Sequence, residues 1–355
     1  CGVYTPMPTA RALRVCPDLV LIRHTAGLYG QVSRRMFDLC ESLTPLVQRN
    51  SIDEGYLDLR PCRLDGIGAV ERVVRELQAR LWDELRIPVS FGIAANKLVA
   101  QIASKLRKPR GFVVVPPGSE ASFLAPLPIG RLPGIGAKTE AVLRGHGIRI
   151  VSDVFERTED ELAAAFGRGW HSVVGRARGE DDSPVETDDG DAKSYSKQET
   201  FASDEADFGA IERTAKGMLD DLMAKVREDR TKVKTLTVLV RYANFEQESR
   251  GQSLRTAADI ETPFYPLVTF LLRSAWRRQR PLRLVSVRLS GVDGGPAQLE
   301  MFGQAEEKRR ALAGVIDRLN RGGRESVVVH GHQLPEGGSG REDTRKRPGR
   351  SRENA

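Results

Sequence analysis

The sequence predicts an α/β protein of several domains. Strand-like and helix-like segments alternate over residues 26–116 and again after residue 193. Between them lie a helical region punctuated by Gly and Pro, 117–180, and an acidic run without periodicity, 181–192. The length, 355 residues, exceeds one ordinary domain and suits two to four.

The elements follow in order. Thr9 to Val15 reads as a short helix stopped by Pro17. Leu28, Val32, Met36, Leu39 and Leu43 fall near one helical face. Residues 50–59 alternate, as in a strand or a strand pair with a tight turn. A helix over 67–86 ends at Pro88, 89–93 is a strand, 95–106 a helix, and Phe112 to Val115 a strand closed by two prolines. Past the acidic linker, Lys193–Phe201 is a strand and 204–229 a helix with Ile211, Ala215, Met218, Leu222 and Val226 on one face. Lys234–Tyr242 is a strand with 250–258 as its hairpin partner, 263–279 a helix and 282–290 a closing strand. The expected unit is a four-stranded sheet with two helices on one face. Residues 335–355 are basic and low in complexity, and are expected to be disordered.

A 40% hydrophobic, 29% charged chain can bury a core. Its net charge of +7 is compatible with nucleic acid or an anionic membrane surface as partner. No apolar run approaches a membrane span and no signal peptide is present, so a cytoplasmic protein without a membrane partner is expected. Cys1, Cys16, Cys40 and Cys62 form no CxxC pair, which argues for reduced thiols over a disulfide scaffold or a zinc site. The chain opens Cys1-Gly2-Val3 without Met, and its next residues resemble an interior segment, so an N-terminally incomplete catalytic domain is expected.

Three motifs carry chemistry. Asp53-Glu54 lies within Ser51-Ile52-Asp53-Glu54-Gly55-Tyr56-Leu57-Asp58. Adjacent strand residues face opposite ways, but a strand-end turn could aim both acids at one metal; the alternative is an acidic pair on an exposed hairpin. Lys108 follows a strand and helix, Ser90 to Leu106, in a basic loop before Pro109. It is either a cation for triphosphate oxygens or an ordinary basic helix end. Leu132-Pro133-Gly134-Ile135-Gly136-Ala137-Lys138-Thr139 has the pattern of a helix-hairpin-helix, whose glycines let backbone N–H groups approach a phosphate; the alternative is a plain αα-turn.

In this order and spacing, SIDEGYLDL, SFGIAANKLVAQIASKLRKPRG and LPGIGAKT resemble the Y-family, or lesion-bypass, DNA polymerases of bacteria. PMPTARALRVCPDL resembles their fingers segment and KSYSKQETF the first strand of their little finger, so the resemblance spans residues 2–320. It implies a right-hand polymerase with partial fingers (1–25), an α/β palm lacking its first strand (26–116), a helical thumb with a helix-hairpin-helix (117–180), a linker (181–192), a four-stranded α/β little finger (193–292), a clamp-binding peptide and C-terminal helix (293–334) and a basic tail (335–355). The implied reaction is template-directed transfer of a deoxynucleotide to a primer 3′-OH past damaged bases in DNA repair. The implied cofactor is Mg2+, two ions, and the implied partners are primer-template DNA, deoxynucleoside triphosphates and the sliding clamp (beta), with the enzyme a monomer.

The resemblance assigns roles to residues. Asp53 would bind magnesium, with Glu54 the neighbouring catalytic carboxylate and metal ligand. Lys108 would bind the triphosphate, and Gly134, Ile135 and Gly136 a DNA phosphate. Arg273, Arg277, Arg278, Arg280, Arg283 and Arg288, with no acid between them, suit a DNA-facing surface or a merely solvated one. The family's further metal-binding Asp, its sugar-gate aromatic and its triphosphate-holding Tyr/Arg pair would all precede Gly2. Gly55 stands where Ala is usual and Gln101 where Lys is common, both expected to be tolerable.

Gln298-Leu299-Glu300-Met301-Phe302 resembles the clamp-docking peptide of bacterial polymerases, with Gln298, Leu299, Met301 and Phe302 as contacts; a strand or helix start on the little finger is the alternative. His330-Gly331-His332 lacks the acids or cysteines of a metal site. Two rival functions remain: a catalytically inactive polymerase-like accessory protein of translesion synthesis, and a non-polymerase repair protein built on the helix-hairpin-helix. The acid pair and Lys108 argue against both.

Overall fold

The structure, a computed structural model, describes residues 1–188, 190–276, 280–293, 304–320 and 328–333. It comprises two compact units, Cys1–Asp189 and Gly190–Ala355.

The first unit begins with α1 (Thr9–Val15), which ends before Cys16-Pro17 because proline disfavours a helical residue ahead of it. After α2 (Leu28–Glu41), β1 (Val47–Arg49) and β2 (Gly55–Leu57) form an antiparallel hairpin with Arg49 opposite Gly55. α3 (Gly66–Leu85) stops at Arg86, which turns left-handed at φ 57° ahead of Pro88. Met36, Phe37, Leu39 and Cys40 of α2 bury against Val47, Leu77 and Leu81. Burial pushes the Cys40 thiol up to about 11, so it behaves as a small apolar side chain. Cys1 is exposed and Cys16 and Cys62 are half-buried, and all four are free.

β3 (Phe91–Ile93), α4 (Lys97–Leu106) and β4 (Phe112–Val114) make a βαβ unit with parallel strands. The helix lies so close to β3 that a Cβ on Gly92 would sit 2.2 Å from the Ala100 carbonyl oxygen. Of the two readings of residues 50–59, a strand or a strand pair with a tight turn, the second is the nearer, since β1 and β2 pair across a turn. Residues 50–54 are turn, because the Ser51 hydroxyl bonds locally and competes with a ladder. The four strands of this region form two separate pairs, not one sheet.

Beyond lie α5 (Glu120–Leu124), α6 (Ala137–Gly145), α7 (Glu159–Phe166) and α8 (Trp170–Ala177). One core joins them to α4: Leu98, Val99, Ile102 and Ala103 bury against Leu124, Leu143, Val173 and Ala177. The acidic segment is tied down at its start. Asp181 accepts from the Leu98 N–H (2.9 Å), Lys97 donates to the Pro184 carbonyl (2.6 Å), and the Glu186 N–H donates to Gln48 Oε1 (3.1 Å).

The second unit holds β5 (Ser194–Glu205), α9 (Phe208–Glu228), β6 (Lys232–Tyr242), β7 (Gln247–Ala258), α10 (Tyr265–Ala275), β8 (Leu282–Asp293) and α11 (Gln304–Asn320). The antiparallel sheet runs β5-β8-β6-β7. Leu236, Val238 and Val240 of β6 and Val285, Val287 and Leu289 of β8 share one core with α9 and α10. Ile211, Ala215, Met218, Leu222 and Val226 face that core, as their spacing predicts. Asp207 caps α9 by accepting from the Gly209 and Ala210 N–H groups. Arg227 ties α11 to α9, donating to Asp317 at 2.7 Å and to Glu261 at 2.8 Å. No helix among the described residues is long and apolar enough to cross a membrane.

Candidate active site

The β1–β2 turn is built around Ser51. Its hydroxyl donates to Asp53 Oδ1 (2.7 Å) and accepts from the Asp53 and Glu54 N–H groups (3.3 and 3.1 Å). The Asn50 and Ser51 N–H groups both donate to the Glu54 carbonyl, closing the turn. Asp53 and Glu54 therefore sit together at the strand end, both exposed or nearly so. Gly55 is required by this packing: a Cβ there would lie 2.6 Å from the Gln48 carbonyl oxygen and 2.7 Å from a Phe37 ring carbon. Behind the turn, Asp58 is buried, and hydrogen bonds from the Arg60 side chain hold its carboxyl below the usual range despite burial. Thr44 donates to the Asp58 carbonyl, fixing the exit from β2.

The acids open onto a cleft of about 1430 Å³. Its polar wall includes Asp53, Glu54, Tyr56, Lys97, Lys105 and Lys108, and its apolar wall Val32, Met36 and Phe91. α4 presents its polar side here because Leu98, Val99, Ile102 and Ala103 face the core. Asn96 caps the helix, accepting from the Val99 N–H at 3.0 Å and donating to the Gly179 carbonyl at 2.7 Å. Asp181 beside the helix start is pushed up by burial, but hydrogen bonds from Ser183 and the Leu98 N–H, with the Lys97 charge, bring it below the usual range. Lys97 lies 5.5 Å from the Tyr56 ring centre and donates to Gln48 Oε1 (3.1 Å). Burial raises the Tyr56 hydroxyl above its ordinary value.

Lys108 lines the same cleft, in the loop after α4. Ser90 anchors that loop, accepting from the Gly111 N–H at 2.9 Å. The sequence reading missed Lys105, whose Nζ is 3.7 Å from Glu54 Oε1. Its position in the same basic segment as Lys108 was the available signal; the pairing across elements had none.

At the helix-hairpin-helix, Gly134 takes φ +87° and Gly136 caps α6. Arg176 donates to the Pro133 carbonyl, and a Cβ on Gly134 would sit 2.8 Å from its Nη1. No atom lies within 4 Å of a Cβ position on Gly136, so the N-terminal side of α6 is open there. The Ile135 side chain is buried and its N–H donates to the Leu132 carbonyl at 3.1 Å, which anchors the turn. The first limb is a 3-10 turn, Ile129–Arg131, too short for an α-helix.

Among the arginines, Arg280 pairs with Glu246 at 3.1 Å and stacks 5.0 Å from the Tyr242 ring centre. The acid absent from its own stretch comes from the β6–β7 turn. Arg273 and Arg283 lie over Phe208 and Phe245. Arg288 is exposed on β8. Arg277, Arg278, the peptide contacts Gln298, Leu299, Met301 and Phe302, and the tail 335–355 lie outside the described residues. His332 contacts Asp220 at 2.9 Å and His330 contacts Glu261 at 3.4 Å, each His with a different acid. Among the described residues no group of three or more His, Cys, Asp or Glu could hold a metal ion.

Residues 1–105 match the impB/mucB/samB family, 117–148 the IMS family HHH motif and 192–301 the impB/mucB/samB family C-terminal domain. The chain is 63% identical over 335 residues to DNA polymerase IV of Opitutus terrae, covering 94% of this chain and 86% of that protein. It is 37% identical over 300 residues to DNA polymerase IV of Methanoculleus marisnigri, covering 83% and 81%. The fold is similar to a solved Y-family DNA polymerase chimera, Dbh-Dpo4(243-245)-Dbh, at a TM-score of 0.73 and 24% identity, covering 82% of this chain and 84% of that one.

Proposed function

The chain belongs to the impB/mucB/samB family of Y-family DNA polymerases, and from that premise we propose how its residues divide the work of DNA synthesis past damaged bases. The reaction is nucleotidyl transfer: a primer 3′-OH attacks the α-phosphorus of a deoxynucleoside triphosphate and pyrophosphate leaves. One observation carries the assignment of the site. The Ser51-closed turn sets Asp53 and Glu54 side by side at a cleft that Lys105 and Lys108 also line.

Two exposed carboxylates are hard oxygen donors, and they fit magnesium, which takes one or two carboxylates and completes its shell with water and phosphate oxygens. Asp53 and Glu54 would hold the two ions together with the triphosphate. When bound, the metal supplies charge stabilisation at the α-phosphate and a lowered pKa for the attacking hydroxyl. Ser51 fixes where Asp53 Oδ1 points. Lys108 meets the triphosphate charge. The turn at Gly134 and Gly136, open at Gly136, receives a DNA phosphate by backbone contact, which positions the duplex without reading sequence. Arg288 and its neighbours track the duplex backbone, and Gln298 to Phe302 dock on the sliding clamp.

The test is primer extension opposite an intact base and opposite an abasic site, with magnesium and four deoxynucleotides. Extension on both templates that stops with chelator and returns with magnesium is expected. DNA binding without extension would move the chain to the accessory-protein reading.

A further inference from the structure

We propose that Lys105 is a second triphosphate-binding cation, parked on Glu54 until the nucleotide arrives; this rests on the reading of Asp53 and Glu54 as the metal-facing pair. Three observations carry it. Lys105 Nζ reaches 3.7 Å from Glu54 Oε1, joining α4 to the β1–β2 turn. Both residues line the cleft that Lys108 also lines. The backbone of α4 is held by its cap and its buried face, so the Lys105 stem moves and its Cα does not.

A basic residue in the last turn of a helix is ordinary, since it complements the helix dipole. The dipole does not account for an ammonium turned to a carboxylate on another element. Glu54 beside Asp53 concentrates negative charge, and Lys105 balances it. The pair breaks easily: its side chains are 41% and 44% exposed, and exposed ion pairs are weak. A divalent ion competes with the ammonium for the same oxygens. The triphosphate brings several new negative charges within reach of a flexible four-carbon stem. The ammonium then passes from Glu54 to the phosphates, no covalent bond changes, and Lys105 and Lys108 bind the triphosphate together.

This exchange has an opposed signature. Removing Lys105 weakens nucleotide binding and strengthens metal binding, whereas a merely structural loss weakens both. Lys105→Gln and Lys105→Arg, at an exposed position, are compared with wild type. Mn2+ binding is read by electron paramagnetic resonance without DNA or nucleotide, with Glu54→Gln as control, and the nucleotide KM by primer extension. In Lys105→Gln the KM is expected to rise about tenfold, with kcat within about threefold and Mn2+ binding about threefold tighter. Lys105→Arg is expected to restore both to within about twofold of wild type. Unchanged KM and Mn2+ affinity, or weakening of both with Arg no better than Gln, overturns the proposal. The Mn2+ measurement needs no catalysis, so unchanged Mn2+ affinity in Lys105→Gln overturns the parked pair even if the wild type extends no primer, the outcome that would instead sink the polymerase assignment.

Discussion

Two turns of the first unit invite comparison, the acid turn at residues 50–54 and the glycine turn at 133–136. The first is locked by local hydrogen bonds through Ser51, the second by a local one from the Ile135 N–H and a long-range one from Arg176 on α8. Each has a glycine at which a Cβ would collide, Gly55 at 2.6 Å and Gly134 at 2.8 Å. They differ in what they present. The acid turn offers two carboxylates, so the chemistry proposed for it rests on two side chains. The glycine turn offers backbone at a helix start, so the binding proposed for it rests on backbone amides. A point substitution should therefore abolish the first function and only weaken the second.

The largest expected effect is at Asp53. Asp53→Ala removes one of two metal-facing acids and should lower the single-turnover rate by about 10³-fold or more, several kcal/mol of barrier. Its melting temperature should stay close to wild type, because the side chain is exposed. Next, Gly134→Ala forces a side chain into a positive φ and against Arg176. Its Kd for primer-template DNA should rise about tenfold, with kcat at saturating DNA changed by less than about threefold. Gly55→Ala sharpens the contrast from the other side. It should cost about 1–3 kcal/mol of stability by overpacking and lower kcat while the DNA Kd stays within about twofold. A rise in Kd without a fall in kcat would merge the two turns into one binding surface.

The smallest effect concerns pH. Asp58 behind the acid turn has a lowered folded pKa. It therefore adds stability that is present above the ordinary aspartate value of about 3.9 and lost as pH falls through the depressed one. Asp58→Asn should flatten the loss of stability across that acid window in denaturant titrations. A variant that tracks wild type there would separate Asp58 from the support of the turn.

The sequence made the little finger legible because each long element repeats one period: the five apolar residues read on one face of α9 all reach the core. The acid turn was legible as a motif and, in one of two readings, as a strand-end turn. What the alternation of residues 50–59 could not show is its closure, by the Ser51 hydroxyl and by the Asn50 and Ser51 N–H groups on the Glu54 carbonyl. Contacts between distant elements left no local trace. Lys105 on Glu54, Arg280 on Glu246 and the tie from Lys97 to Pro184 each join residues whose partners no spacing rule selects.

If the acid turn does chemistry and the glycine turn holds DNA, single substitutions separate the two. The most direct measurement runs Asp53→Asn and Gly134→Ala side by side, single-turnover incorporation at saturating primer-template against DNA affinity by fluorescence anisotropy. Crossed losses are expected: no incorporation with near-normal DNA binding for Asp53→Asn, and near-normal incorporation with weakened binding for Gly134→Ala. Incorporation by Asp53→Asn at the wild-type rate would contradict it.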